Sequence, residues 1–139
     1  MISQRIAAVL LALWAGSLVT VCAVVAPTLF ALLERGSAGQ VAARLFFIET
    51  VIGVVVAIAV LIAQKAGGVV LPRPALIAIV IAALAPLSSE LILGPMMQAA
   101  RSAGDMARFG ALHGVSAVLF VIACVSAVLA VWFFNRPAA

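Results

Sequence analysis

Residues 75–100 read ALIAIVIAALAPLSSELILGPMMQAA, an apolar run broken by a single charge, Glu90. Whether this is one membrane span with an internal carboxylate or two shorter segments decides the fold. Its charge-free pieces, residues 74–89 and 91–100, are 16 and ten residues long. Neither reaches the roughly 20 residues that carry a helix across a bilayer, but together they do. Read as one span, the run joins three others. Residues 6–33 form a charge-free stretch of 28 and residues 109–135 one of 27, while residues 50–64 give 15 that extend back through Glu49 to about Val41. Four spans follow, near residues 6–33, 41–64, 75–100 and 108–134, in a single transmembrane domain covering residues 1–139.

The composition agrees. Of 139 residues, 68% are hydrophobic and 9% charged, against roughly a quarter charged in a soluble domain. The mean hydropathy is +1.40. A soluble domain of this size has too little interior for that much apolar surface, so a soluble enzyme, a disordered tail and a secreted disulfide scaffold are excluded. No ten-residue segments alternate polar with apolar, as a membrane β-barrel requires. Helices are then the way to satisfy the backbone in lipid. The connections at Glu34–Gln40, Gln64–Pro74 and Arg101–Asp105 are short and rich in Gly, Ser or Pro, which makes consecutive helices antiparallel neighbours. The expected fold is all-α, an integral membrane antiparallel four-helix bundle. Arg5 followed by an apolar run has the look of a signal peptide, but the run is too long for one; it is read as a retained helix.

The net charge of +4 does not mark a nucleic-acid binder. The eight basic residues are scattered singly and mostly flank apolar runs, as membrane-interface anchors do. The partner they imply is the lipid bilayer. Arg5, Lys65, Arg73 and Arg136 fall on the face of the termini, and Arg35, Arg44, Arg101 and Arg108 on the opposite face. With Arg44 assigned to the second helix rather than the loop, the positive-inside rule favours cytoplasmic termini, as in a bacterial inner membrane protein. Cys22 and Cys124 lie inside apolar runs and read as buried apolar thiols; no Cys/His spacing indicates zinc.

The ionisable groups within the spans share a depth. Counted from the face of the first and third loops, Glu49 lies about eight residues down (roughly 12 Å), Glu90 about ten (roughly 15 Å) and His113 about five (roughly 8 Å) at 1.5 Å per residue. Arg44 is shallower. A charged side chain in lipid costs roughly 2.5–3.5 kcal/mol, so such groups face the bundle interior and pair. They either glue the helices together or line a site. Pro27, Pro86 and Pro95 punctuate the same half of the bundle, each freeing a carbonyl one turn earlier. Ser88 and Ser89 add hydroxyls beside Glu90. Gly110 and Gly114 flank His113 with the small-xxx-small spacing that lets helices approach closely. Met96, Met97 and Met106 lie near His113, and thioether with imidazole suits copper, Cu(I) above all; a His/Met pair also suits haem iron. No catalytic residue is assigned, because no nucleophile elbow, HExxH, P-loop or GxGxxG occurs.

Three strings carry a family resemblance: Leu13–Leu18 running on to Ala26-Pro27-Thr28-Leu29-Phe30, then Ala38–Phe46, and Phe109–Ser116 with its Leu-His-Gly-Val-Ser. Together with Pro95-Met96 and Arg101, they resemble the DUF4149, or TMEM205-like, family of four-helix membrane proteins. The resemblance implies importance for Pro27, Arg44, Glu49, Pro95, Arg101, His113 and Ser116. It associates eukaryotic relatives with tolerance of platinum drugs. It also extends distantly to copper-resistance membrane proteins and a haem-dependent porphyrinogen oxidase, which carry more histidines than this chain. The sequence reading is a polar cluster of Arg44, Glu49, Glu90, Arg101, His113 and Ser116 that binds or moves a metal ion, a haem-like group or a small solute, with His113, Met96 and Met97 as metal ligands. The alternative is a non-catalytic accessory subunit packed in a larger membrane complex or homo-oligomer through its featureless apolar half.

Overall fold

The computed structural model describes residues 2–136. Among the described residues the regular elements are all helical, and they form four rods: α1 (Ile2–Leu32), α2 (Arg35–Lys65), α3 (Arg73–Ser102) and α4 (Met106–Phe134). Each is long and apolar enough to cross a membrane. Their exposed surfaces are dominated by Val, Ile and Leu, as acyl chains require, so the chain is an integral membrane antiparallel four-helix bundle.

Local chemistry sets the ends. The α2 helix stops at Gly67, whose φ of +75° suits a residue without Cβ. Its N–H bonds the Gln64 carbonyl at 3.0 Å, and that of Gly68 bonds Ala63 at 2.9 Å, satisfying carbonyls the helix would leave bare. Gly104 ends α3 in the same way, with φ +72° and bonds from Gly104 and Asp105 to Arg101 and Ala100. Asp105 then caps α4, its carboxylate accepting from the Arg108 N–H at 3.0 Å.

The first connection differs from the sequence expectation. Glu34–Gln40 has turn composition, yet α2 begins at Arg35. Each helical glycine costs about 1 kcal/mol relative to alanine, and Gly36 and Gly39 carry that cost here. Ala38 and Ala42 are buried on this first stretch of α2, where it packs along the end of α1, and that packing overrides propensity. Glu49 is therefore about 14 residues into α2, roughly 21 Å at 1.5 Å per residue, deeper than the sequence count placed it.

The terminal end is clamped by a side chain. Gln4 Nε2 donates to the Val70 carbonyl at 3.2 Å, and Gln4 Oε1 accepts from the Val70 N–H at 2.8 Å. These bonds tie the start of α1 to the α2–α3 connection. We expect Gln4→Ala to cost about 1–2 kcal/mol locally, two hydrogen bonds at their usual net worth. Amide exchange at Val70 and proteolysis at Arg73 should both accelerate; unchanged protection would show that the clamp contributes nothing.

Two prolines shape the helices in one manner. In α1 the backbone widens to a π turn over Val21–Val25, and in α3 over Ser89–Leu93. Each π turn ends two residues before a proline, Pro27 or Pro95. The residue between, Ala26 or Gly94, donates its N–H five residues back, to Val21 or Ser89. Proline removes one ladder bond and its ring collides with the carbonyl four residues earlier; the wider turn relieves both. Pro86 sits buried in α3 without one.

Packing is uneven along the bundle. On the terminal side α3 contributes Ala75, Ala78, Ile79, Ala82 and Ala83, and α4 contributes Ala123, Cys124, Ala127 and Ala130, all buried. This alanine seam joins the two most extensively packed helices, as close approach in lipid demands. Beyond the π turns burial thins. Nothing in Ala26–Leu32 is buried, and only Ala100 in Gly94–Ser102. The buried residues of α4 begin at Phe120.

Candidate functional site

Two polar contacts, Ser17–Glu49 and Ser89–Ser116, lie where the dense half of the bundle gives way to the thin half. Glu49 is buried, with 6% of its surface exposed, close to halfway along α2. Its Oε2 lies 3.0 Å from Ser17 Oγ of α1, which also lies 2.9 Å from the Trp14 carbonyl. A hydroxyl has one proton to give and two lone pairs to receive. With Glu49 ionised, Ser17 donates to it. With Glu49 protonated, the carboxyl donates to Ser17 and Ser17 donates to Trp14. Both states are served by the same three groups.

One turn along α2 from Glu49, Gly53 meets the Trp14 indole edge. A Cβ there would fall 2.9 Å from Trp14 Nε1. That indole nitrogen is buried with no hydrogen-bond partner, an uncommon state that calls for an explanation. The buried donor of α1 without an acceptor thus packs against Gly53, one turn along α2 from the buried Glu49.

The α3–α4 side has its own contact. Ser89, first residue of the α3 π turn, and Ser116 of α4 share a hydrogen bond of 2.7 Å. Glu90 follows Ser89 on α3, and His113 lies one turn before Ser116 on α4. Glu90 is half-buried and His113 exposed. The imidazole stacks on Phe109 of its own helix, ring centroids 5.9 Å apart. Arg101 lies over the same Phe109 ring at 4.6 Å, so Arg101, Phe109 and His113 form one stack at the α3–α4 turn. Arg44 is exposed and rests over Phe47 at 5.8 Å. Met96 is exposed and Met97 half-buried.

The predicted residues thus divide into groups. Glu49 pairs with Ser17 of α1; Ser116 meets Ser89 at the α3–α4 contact; His113 and Arg101 share the Phe109 ring; Arg44 lies apart on Phe47; Glu90 is half-buried on α3 beside Ser89. Among the described residues no group of three or more His, Cys, Asp or Glu side chains is placed to hold a metal ion. Gly110 and Gly114 have open space where a Cβ would stand, and the close approach falls at Gly53 instead. A shallow apolar groove of about 570 Å³ on α2, lined by Ile58, Leu61, Ile62, Lys65 and Ala66, lies at the terminal end, away from every polar group of the candidate site.

Sequence reasoning met Trp14 and Ser17 only inside the string Leu13–Leu18 and gave Gly53 no role. The signal for the first two was present in the helical spacing: Leu11, Trp14, Ser17 or Leu18, and Val21 recur every three to four residues, which places Ser17 beside the buried stripe.

The family profile described as "Domain of unknown function (DUF4149)" matches residues 9–106. That stretch runs from the first turns of α1 to the first residue of α4 and covers most of the chain. The chain belongs to the DUF4149 family. The match takes in Trp14, Ser17, Pro27, Glu49, Gly53, Glu90 and Pro95 of this DUF4149 protein, whereas His113, Ser116 and Cys124 lie beyond it. Neither a curated protein nor a solved structure matches the chain.

Proposed function

We propose that this DUF4149 protein is a small-solute or cation handler whose intramembrane site centres on Glu49, reached from the end of the bundle that holds the first and third turns. The observation that carries this reading is the burial of Glu49 near mid-helix with one neutral hydroxyl as its hydrogen-bonding neighbour. A charged carboxyl held so deep costs kilocalories, and ionisable groups kept inside membrane spans mark ion and proton pathways. Support comes from the unpartnered Trp14 Nε1 nearby and from the thin packing of the bundle beyond the π turns. Glu90, Arg101 and His113 belong to the proposed approach. The balance of basic residues favours cytoplasmic termini, which would place the approach on the opposite side of the membrane.

The test is proton flux in proteoliposomes loaded with a pH-sensitive dye, under an imposed potassium diffusion potential. Glu49→Gln keeps the shape and removes the exchangeable charge. Flux should fall at least tenfold, while Glu49→Asp keeps a measurable part and His113→Ala changes it less than threefold. Metal and haem contents of the purified wild type and Glu49→Gln proteins are measured alongside. Equal flux, metal and haem in wild type and Glu49→Gln would end the cation reading. A stoichiometric partner in native mass spectrometry, with no flux above empty vesicles, would favour the accessory-subunit reading, for which the exposed Trp132 and its neighbouring apolar surface offer contacts.

A further inference from the structure

The two cysteines of the chain stand at opposite ends of the sequence, on α1 and α4, yet their sulfurs lie 3.2 Å apart. Both are free thiols. The helical stripes explain the meeting. Leu11, Trp14 and Leu18 form the buried face of α1, and Cys22, four residues after Leu18, continues it. Phe120, Cys124 and Ala127 form the buried face of α4. Cys124 Sγ also lies 3.6 Å from the Leu18 carbonyl, so it is seated against α1 by two neighbours rather than one.

We propose that Cys22 and Cys124 form a reversible dithiol–disulfide couple that ties α1 to α4 inside the membrane. A disulfide bond is about 2.05 Å long, so the sulfurs need to close by about 1 Å. Cys22 belongs to the π turn Val21–Val25, where the ladder is already widened, and a small shift there breaks no α-helical bond. The Glu49–Ser17 pair meets the same stretch of α1, but the couple does not depend on the role proposed for Glu49.

The oxidant is a peroxide, small and uncharged enough to enter the bilayer. Cys22 is half-buried and Cys124 buried, so Cys22 reacts first. Its sulfur attacks one peroxide oxygen, the O–O bond breaks, and the departing hydroxide takes the thiol proton and leaves as water. Cys22 is then a sulfenic acid. The Cys124 sulfur attacks the sulfenic sulfur, the S–O bond breaks, and the oxygen leaves as a second water with the Cys124 proton. Two thiols have lost two electrons and two hydrogens, and one peroxide has become two waters. A dithiol reductant reverses the bond by exchange.

The experiment exposes the full chain, in its own membranes, to hydrogen peroxide. The protein is then denatured in SDS and its free thiols are tagged with a polyethylene-glycol maleimide. The reduced protein should take two tags and the oxidised protein none, as a monomer about 2 Da lighter for the two lost hydrogens. Dithiothreitol should restore both tags. Tryptic fragments bearing Cys22 and Cys124 should travel together until reduced. Cys22→Ala should keep its one tag at the same peroxide dose, because Cys124 is shielded. Two tags after oxidation, or tags lost only through covalent dimers or sulfinic acid, would overturn the proposal on the wild-type protein alone.

Discussion

Gly53→Ala is expected to destabilise the bundle by about 1–3 kcal/mol, the cost of overpacking a filled interior. The added methyl would stand 2.8 Å from Trp14 Cζ2, 2.9 Å from Nε1 and 3.0 Å from Cε2. Trp14 cannot swing aside, for it is the largest of the fully buried side chains at 2% exposure. The helices α1 and α2 must separate instead, and Ser17 leaves Glu49 as they do. Glycine at this position loses helix propensity of about 1 kcal/mol relative to alanine, so propensity alone predicts the opposite sign. The measurement is the midpoint of SDS-driven unfolding from a mild detergent. Trp14→Ala removes the very atoms that clash, so Gly53→Ala added to Trp14→Ala should cost little beyond Trp14→Ala alone. A Gly53→Ala protein as stable as wild type would show that the contact is slack.

Ala127→Leu is expected to do as much damage or more. Ala127 is 1% exposed in the seam where α4 meets the alanines of α3. In water a larger apolar side chain at an interface gains from leaving solvent. In lipid that gain is absent, because acyl chains are as apolar as leucine, and close packing is what holds helices together. The extra volume therefore only forces α3 and α4 apart, at the upper end of about 1–3 kcal/mol or beyond it. Ala117→Leu, on the exposed side of the same helix, should stay within about 0.5 kcal/mol. Thermal unfolding in detergent and the fraction of monodisperse protein report both. Equal behaviour of the two variants would mean that the seam does not set the helix spacing.

Much of the architecture was legible because hydropathy and length are one-dimensional quantities. A membrane span declares itself by the absence of charge over some 20 residues, and Gly67 and Gly104 mark their turns by residue type. The start of α2 was not legible. Gly36, Ser37 and Gly39 argue locally for a loop, and only the burial of Ala38 and Ala42 against another helix reverses that. Depth was legible only in part. Counting from the loops puts Cys124 about eight residues deeper than Cys22, roughly 12 Å at 1.5 Å per residue, yet the two sulfurs touch. Helices do not begin at one level, so α4 is displaced along the bundle axis relative to α1. Direction around the helix was harder still. Glu49 and Ser17 meet because both face inward, while the ring of His113 lies flat on Phe109; residue counts along a span carry depth but not azimuth.

The matched bends have a consequence of their own. The α1 and α3 helices run in the same sense through the bundle, and each turns wide at the same spacing from a proline, Val21–Val25 before Pro27 and Ser89–Leu93 before Pro95. The molecule is thereby built as two analogous hairpins, each with a flexure at the same station. Strain arriving at the loop end from lipid thickness or a neighbour is expected to be taken up first at those two stations, where the helical ladder is already widened, before it reaches the alanine seam.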